Sequence, residues 1–418
     1  MNSNYSDGIL KIELPERVDA TNANQFEQDL FAVPNLNDAQ EIIIDADNLN
    51  YISSLGLRVL MKLQKKFKNA PISVINVSGN IYNIFDDTGF TSFLNVKKKL
   101  RFVDVNSLQV LGAGMYGAVY RINEEQILKV FHGINSENAI QSIVKTIRAA
   151  FVHDIPTIIP FEIVRTEKGF GTILELLNSE MMSTLMKNNP EKLDKYIGDM
   201  VTLSKLIANT QFEEGTLRSY KEMLLSRLDN ADKFLLSEEI ATIKNYINAV
   251  PQRNTAVHGD LHAKNIMVMD EKPILIDMDE FSLGHPIWDI VNVHFIYQAL
   301  AHADSKMIED LLGIAGKISW ADFYIKRISF TFDEADKIWE KFFNGYFADY
   351  SQENKNKILE LVEFYGNFKY IIFLLELCNA DKDNPEKLEN HVKHIRNFLA
   401  KLEKKNIDTL IKYLDFWK

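Results

Sequence analysis

The sequence predicts two folded parts of different class: a small α/β domain over the first hundred residues, then a bilobal α+β part with a β-rich small lobe and a largely helical large one. Three observations carry this. Strand-like and helix-like stretches alternate from Ile9 to Phe85. A glycine-rich turn between Gly112 and Gly117 is flanked by short alternating apolar runs. From Glu191 onward apolar residues recur at helical spacing, interrupted by a single hairpin pattern. The expected limits are 1–100 for the first domain, 101–178 for the small lobe and 179–418 for the large lobe.

In the first domain, Leu10, Ile12 and Leu14 alternate with Ile9, Lys11 and Glu13, a half-buried strand. The polar stretch Asp19–Asn24 precedes Phe26, Leu30 and Phe31 at helical spacing, and Ile42–Ile44 suits a buried strand. Leu60, Leu63 and Phe67 predict a helix that begins near Ser54. Ile72–Val77 reads as another strand, and Ile81, Ile84 and Phe85 as a short helix. The basic run Val96–Arg101 reads as a connector at the domain seam.

The run Asp45…Leu49…Tyr51-Ile52-Ser53-Ser54-Leu55-Gly56-Leu57, with Asp87-Thr88-Gly89-Phe90 downstream, resembles the STAS domain of anti-sigma-factor antagonists and transporter tails. That resemblance implies a protein partner and a phosphorylatable serine at Ser54. The family more often carries Asp where Ser53 stands and a second Ser where Leu55 stands. A helix cap is the alternative role for Ser54, since a hydroxyl at a helix N-terminus accepts from free N–H groups.

Leu111-Gly112-Ala113-Gly114-Met115-Tyr116-Gly117-Ala118-Val119 carries G-x-G-x-x-G-x-V. A dinucleotide turn would open a helix, but Ala118–Ile122 alternates as a strand. A turn at Asn123–Glu125 then leads to the strand Ile127–Phe131, which contains Lys129. Further on, Val257 leads into a Gly259-Asp260 turn. Ile266–Met269 and Ile274–Ile276 read as two strands joined by Asp270–Pro273, which would set Asn265 and Asp277 on neighbouring strand ends. Phosphoryl transfer needs hard oxygen ligands for Mg²⁺ and a carboxylate to accept the acceptor's hydroxyl proton.

His258-Gly259-Asp260-x-His262-x-x-Asn265 followed by Ile276-Asp277-x-Asp279 resembles the catalytic core of the aminoglycoside phosphotransferase family, a branch of the protein-kinase-like fold. The resemblance implies an ATP- and Mg²⁺-dependent phosphotransferase acting on a hydroxyl of a small molecule. It gives Gly112, Gly114, Gly117, Val119 and Lys129 to the phosphates, and the segment Glu175–Leu177 to the adenine edge, with Glu175 and Leu177 as contacts. Asp260 becomes the base, Asn265 and Asp277 the metal ligands, and Asp279 an auxiliary ligand. His258 orients the loop, and His262 either approaches the γ-phosphate or packs. Asp289 matches a family aspartate that supports the catalytic loop.

Kinase-like folds orient the strand lysine with a helix glutamate. Here the helix should run from Ser136 to Phe151, and either Glu137 or Gln141 serves or the pair is missing. Acidic side chains on the late helices would suit a cationic acceptor, although no pattern identifies it. Two other readings stand beside the enzyme: a nucleotide-binding signalling scaffold with little or no turnover, and a kinase acting on Ser54 of STAS domains.

A formal net charge of −11 makes nucleic acid a poor partner. The N-terminus lacks a basic region followed by an apolar one, and no apolar run approaches membrane-spanning length, so a cytoplasmic protein without a membrane partner is expected. The one cysteine, Cys378, excludes an intramolecular disulfide and a cysteine zinc site, and its apolar surroundings predict a buried small hydrophobe.

Overall fold

In the computed structural model, which describes residues 1–67, 70–114, 117–133 and 136–417, the alternation at the N-terminus becomes a half-buried strand. Leu10 and Ile12 of Ile9–Glu13 lie buried, and the residues between them are exposed. The chain divides into two compact units, residues 1–107 with 163–168, and residues 108–162 with 169–418.

The first unit is built on a five-stranded sheet in the spatial order Ser3–Ser6, Ile9–Glu13, Glu41–Asp45, Ile72–Val77, Asn95–Lys98. Its first pair is antiparallel and the others are parallel. Helices Ala23–Phe31, Ser54–Lys66 and Gly79–Asp87 supply Phe26, Leu57, Leu60, Leu63, Ile81 and Phe85 to the core. The basic stretch expected to be a connector is the fifth strand instead. Backbone pairing with Ile72–Val77 takes up Val96, while the lysine heads around it remain accessible to water. Arg101–Phe102 then pairs in parallel with Val164–Arg165.

Ser53, not Ser54, caps the second helix: its hydroxyl accepts from Gly56 N–H at 3.3 Å. Ser54 is the first helical residue, exposed, with no side-chain hydrogen bond among the described residues. Gly56 sits where a Cβ would stand 2.7 Å from Val18 Cγ1 and 2.9 Å from Ile52 Cγ1, so the helix start packs against that wall only as glycine.

In the second unit four antiparallel strands follow the spatial order Gln109–Ala113, Gly117–Arg121, Gln126–Phe131, Gly169–Glu175. The strand expected from Ile158 starts only at Glu162. Before it, the chain is tied to the central hairpin by the Leu275 N–H to Pro156 O bond and a Thr157–Leu275 bridge. Helix Glu137–Val152, capped by Ser136, turns Ile140, Val144, Ile147 and Ala150 inward.

The hairpin pairs Ile266–Met269 with Lys272–Leu275. Its connection is a two-residue turn, shorter than the four residues expected, because Asp270 (φ 49°) and Glu271 (φ 60°) both adopt the left-handed region. That combination makes the tight turn whose twist matches the flanking strands. Apart from the short strands Glu180–Met181, Ala256–Val257 and Ser282–Leu283 the remainder is mainly helical, and the 29-residue helix Gln352–Ala380 runs through its core. Cys378 on that helix is fully buried, and burial pushes its thiol up to about 12. Among the described residues no helix is long and apolar enough to cross a membrane.

Candidate active site

Leu128 and Val130 point into the small lobe's core, so Lys129 between them projects from the opposite face. Strand register places Val119 and Thr172 on either side of it. The Lys129 ammonium stands 2.7 Å from Asp277 Oδ1 and 2.7 Å from Asp279 Oδ2. Burial alone would lower this amine, but the carboxylates of Asp279 and Asp277 outweigh it and hold the amine above its ordinary value. Asp279 is displaced upward by burial, and the neighbouring Asp277 charge adds to that.

Glu137 accepts a hydrogen bond from Gln141 Nε2 at 2.8 Å, and among the described residues the ion pairs of Lys129 are with Asp277 and Asp279 alone. The helix presents Ile143 and Ile147 toward the site. Neither Glu137 nor Gln141 is therefore the lysine's partner.

The turn carrying Asp260 is fixed from behind. Asp289 is buried and accepts from His258 N–H (2.9 Å) and Gly259 N–H (2.8 Å). Burial raises the Asp289 carboxyl above its ordinary value against these donors. Gly259 has φ +84°, and a Cβ there would lie 2.7 Å from Glu280 Cβ. The fully buried His258 bridges from this turn to Ile276 O (3.2 Å), next to Asp277.

Asp260 Oδ2 accepts from Asn265 Nδ2 at 3.0 Å, and Oδ1 from Asn292 Nδ2 at 3.3 Å. His262 Nε2 lies 3.6 Å from Oδ2. Its Nδ1 accepts from Lys264 N–H at 3.2 Å, so a neutral ring carries its proton on Nε2, toward the carboxylate. His262 thus faces Asp260, an arrangement neither sequence alternative contained. Protein surrounds Asp260, yet 44% of its side-chain surface opens into a cavity. Burial pushes its carboxyl up, but His262, Lys369 and His258 outweigh this and hold it far below the usual carboxylate range.

Two cavities meet here. A slot of about 310 Å³ is lined by Gly112, Val119, Ile127, Lys129 and Leu174 from the sheet, and by Met267 and Ile276 from the hairpin. The linking segment Glu175–Leu177 lines it too. Leu176 N–H is taken by Glu125 O at 2.7 Å, so alternation along the chain turns the polar groups of Glu175 the other way. Gly114 and Gly117 do not line the slot; the Gly114 N–H to Gly117 O bond (2.8 Å) closes their loop, and a Cβ on Gly117 would strike Val130 O. Met115 and Tyr116 of that loop lie outside the described residues.

A second cavity of about 430 Å³ contains Asp260, Asn292, Lys369, Arg218, Arg227, Glu280 and Glu376 with an apolar wall of Phe295, Ile296, Ile372 and Phe373. Asp277, Asp279 and Phe131 line both spaces, so the cavities adjoin at the two carboxylates. Asn265 lines neither, although its amide oxygen takes no hydrogen bond among the described residues. Sequence reasoning missed Asn292, Lys369, Arg218 and Arg227. Each comes from a helix or loop remote in sequence, and none carries a local signal.

The donor set suits a hard divalent cation. Asp277 and Asp279 already enclose a positive charge, the Lys129 ammonium, and Asp277 is held at φ +59° with its carboxylate turned to it. Among the described residues no group of three or more His, Cys, Asp or Glu is arranged to hold a metal, so such an ion would need Asn265, phosphate or water oxygens as well.

Residues 1–103 match the STAS domain, and residues 107–317, half of the chain, match the phosphotransferase enzyme family. Among solved structures, a choline/ethanolamine kinase family protein from Mesorhizobium loti is similar, with 13% identity and a TM-score of 0.43 over 74% of this chain and 92% of that one. ADP-bound aminoglycoside phosphotransferase APH(2'')-Ib gives 16% identity and a TM-score of 0.45 over 71% and 94%. The gentamicin complex of APH(2'')-IIa gives 17% and 0.43 over 80% and 99%. No curated protein matches the chain. The chain belongs to the phosphotransferase enzyme family, its kinase-like domain following a STAS domain in one polypeptide.

Proposed function

We propose that the protein transfers the γ-phosphoryl group of ATP to a hydroxyl of a small molecule. The observation that carries this is the pair of cavities meeting at Asp277 and Asp279, with Lys129 on one side and Asp260 on the other. The apolar slot takes adenine between Val119 and Ile276, with the Glu175–Leu177 backbone along its edge. Lys129, with Gly112 in the same slot wall, holds the phosphates. Mg²⁺ held by Asp277, Asp279 and the Asn265 amide oxygen would draw negative charge from the β- and γ-phosphate oxygens.

Asp260 orients the acceptor hydroxyl and takes its proton as the new O–P bond forms; the bond from γ-phosphorus to the β-phosphate oxygen breaks and ADP leaves. A carboxylate held so far down is a weak base. That suits a loose transition state, in which the hydroxyl loses its proton late and alignment matters more than proton affinity. Asn265 and Asn292 fix both carboxylate oxygens, and His262 adds a donor beside them.

The test is ADP release with Mg·ATP over a panel of hydroxyl compounds, comparing wild type with Asp260→Asn. Loss of at least about a hundredfold in kcat, with ATP binding retained, is expected. Equal turnover in the variant would remove Asp260 from the chemistry.

A nucleotide-binding scaffold is the second reading, and the apolar face that the Glu137–Val152 helix turns to the site favours it. Strong stabilisation by Mg·ATP with no transfer or hydrolysis would support it. For the STAS domain we propose partner binding regulated at Ser54. Ser53 already caps the helix, which leaves the Ser54 hydroxyl exposed where a phosphate would meet the helix N-terminus. Mass spectrometry after incubation with ATP tests whether this chain modifies that site itself; phosphate elsewhere only would exclude self-modification at Ser54.

A further inference from the structure

The acceptor cavity holds five carboxylates, and each already has a task. Asp277 and Asp279 face Lys129. Glu280 and Glu376 both grip Arg227, the latter at 2.7 Å. Asp260 receives Asn265 and Asn292 and meets the reacting hydroxyl. Among the described residues of the cavity no carboxylate is left over for an amine on the acceptor.

The cations are unevenly matched. Arg218 donates to the backbone carbonyl of Asp279, and Lys369 Nζ lies 3.3 Å from Tyr220 OH. Among the described residues neither forms an ion pair. Both line the same cavity as Asp260, which also has an apolar wall. The carboxylates of Glu280 and Asp260 act on Lys369 from beyond ion-pair distance, so an anion entering the cavity would find an ammonium whose one direct polar partner among the described residues is a phenol.

We propose that the acceptor is an anion: a hydroxyl compound with a carboxylate or phosphate group held by Lys369 and Arg218, its apolar part against Phe295, Ile296, Ile372 and Phe373. This rests on the phosphotransferase reading and narrows its substrate. It departs from the suggestion that acids on the late helices would suit a cationic acceptor: Glu376, the one such acid that lines this cavity among the described residues, pairs with Arg227.

The experiment measures Mg·ATP-dependent ADP release by the full chain. The probes are hydroxy acids and polyol phosphates, each paired with a neutral amide or alcohol of the same skeleton, together with amino alcohols and kanamycin. The acids are expected to exceed their neutral pairs by at least about tenfold in kcat/KM, since one hydrogen-bonded charge contact is worth that much. The carboxylate and phosphate arms identify which anion is held. Lys369→Gln and Arg218→Gln should each raise the acceptor KM about tenfold while the ATP KM stays within about twofold. Lys369→Arg should recover part of the loss, which separates a charge contact from a folding defect.

Neutral or cationic acceptors equalling the acids would overturn the proposal. So would variants that lower kcat for every acceptor with the acceptor KM unchanged, because the two cations would then serve the phosphoryl group. If no compound of any charge is phosphorylated although Mg·ATP stabilises the protein, the phosphotransferase reading itself fails.

Discussion

Asp289→Ala tests whether the Asp260 turn is held in place from behind. The carboxylate accepts two backbone N–H groups, His258 at 2.9 Å and Gly259 at 2.8 Å, in a site that leaves it 3% exposed. Two bonds to a charged acceptor at about 1.5–3 kcal/mol each set the gross loss. Part of that is returned, because burial disfavours this carboxylate and its removal ends that penalty. A net destabilisation of about 2–4 kcal/mol is expected. Asp289→Asn keeps one acceptor but turns an NH₂ toward a backbone donor, so it should lose about 1–3 kcal/mol. All four tryptophans, Trp288, Trp320, Trp339 and Trp417, belong to the second unit, so their fluorescence during urea unfolding reports on that unit alone. With a slope of about 3 kcal/mol/M, the alanine variant's midpoint should fall by about 1 M. A midpoint within about 0.2 M of wild type at unchanged slope would refute the reasoning. Turnover should fall in parallel, since Asp260 loses its backing.

Three further outcomes are expected. The Asp260 carboxyl should stay ionised below its unfolded value of about 3.9; its stabilising share is thus full above that value and lost only as pH falls toward the depressed folded one. Carboxyl ¹³C NMR, with the signal assigned by its absence from Asp260→Asn, checks this, and a midpoint near 5 would contradict it. Lys129→Met leaves Asp277 and Asp279 without their ammonium, so the ATP KM should rise at least about tenfold, read from steady-state kinetics. Gly56→Ala drives a methyl into Val18 and Ile52, which should weaken the first unit by about 1–3 kcal/mol, read as faster amide exchange in Ile42–Ile44.

The elements that could be read from the sequence are those whose partners are close along the chain. Asp260 and Asn265 precede one hairpin and Asp277 and Asp279 follow it, so turn chemistry and spacing brought them near one another. The glycine loop and Lys129 were legible for the same reason. Ser53 and Ser54 were not separable, because two adjacent hydroxyls fit the cap equally until the helix start is known. The basic strand Asn95–Lys98 carried no apolar alternation, and a parallel neighbour defines it. Lys369 looks like any helix-surface lysine among Asn367, Phe368 and Tyr370. Only packing of the Gln352–Ala380 helix shows that it faces Asp260's cavity.

That helix has one more consequence. Lys369, Ile372, Phe373 and Glu376 all line the cavity, at positions i, i+3, i+4 and i+7, a single stripe on one rod. The groups assigned to chemistry sit elsewhere, on the segments that flank the hairpin and, for Lys129, on the strand Gln126–Phe131. In the proposed reaction, choice of acceptor and transfer of the phosphoryl group are therefore written on separable stretches of chain. Substitutions at Ile372 and Phe373 on that ridge can retune what enters without altering the groups around Asp260, so descendants of this scaffold can diverge in diet without relearning their trade.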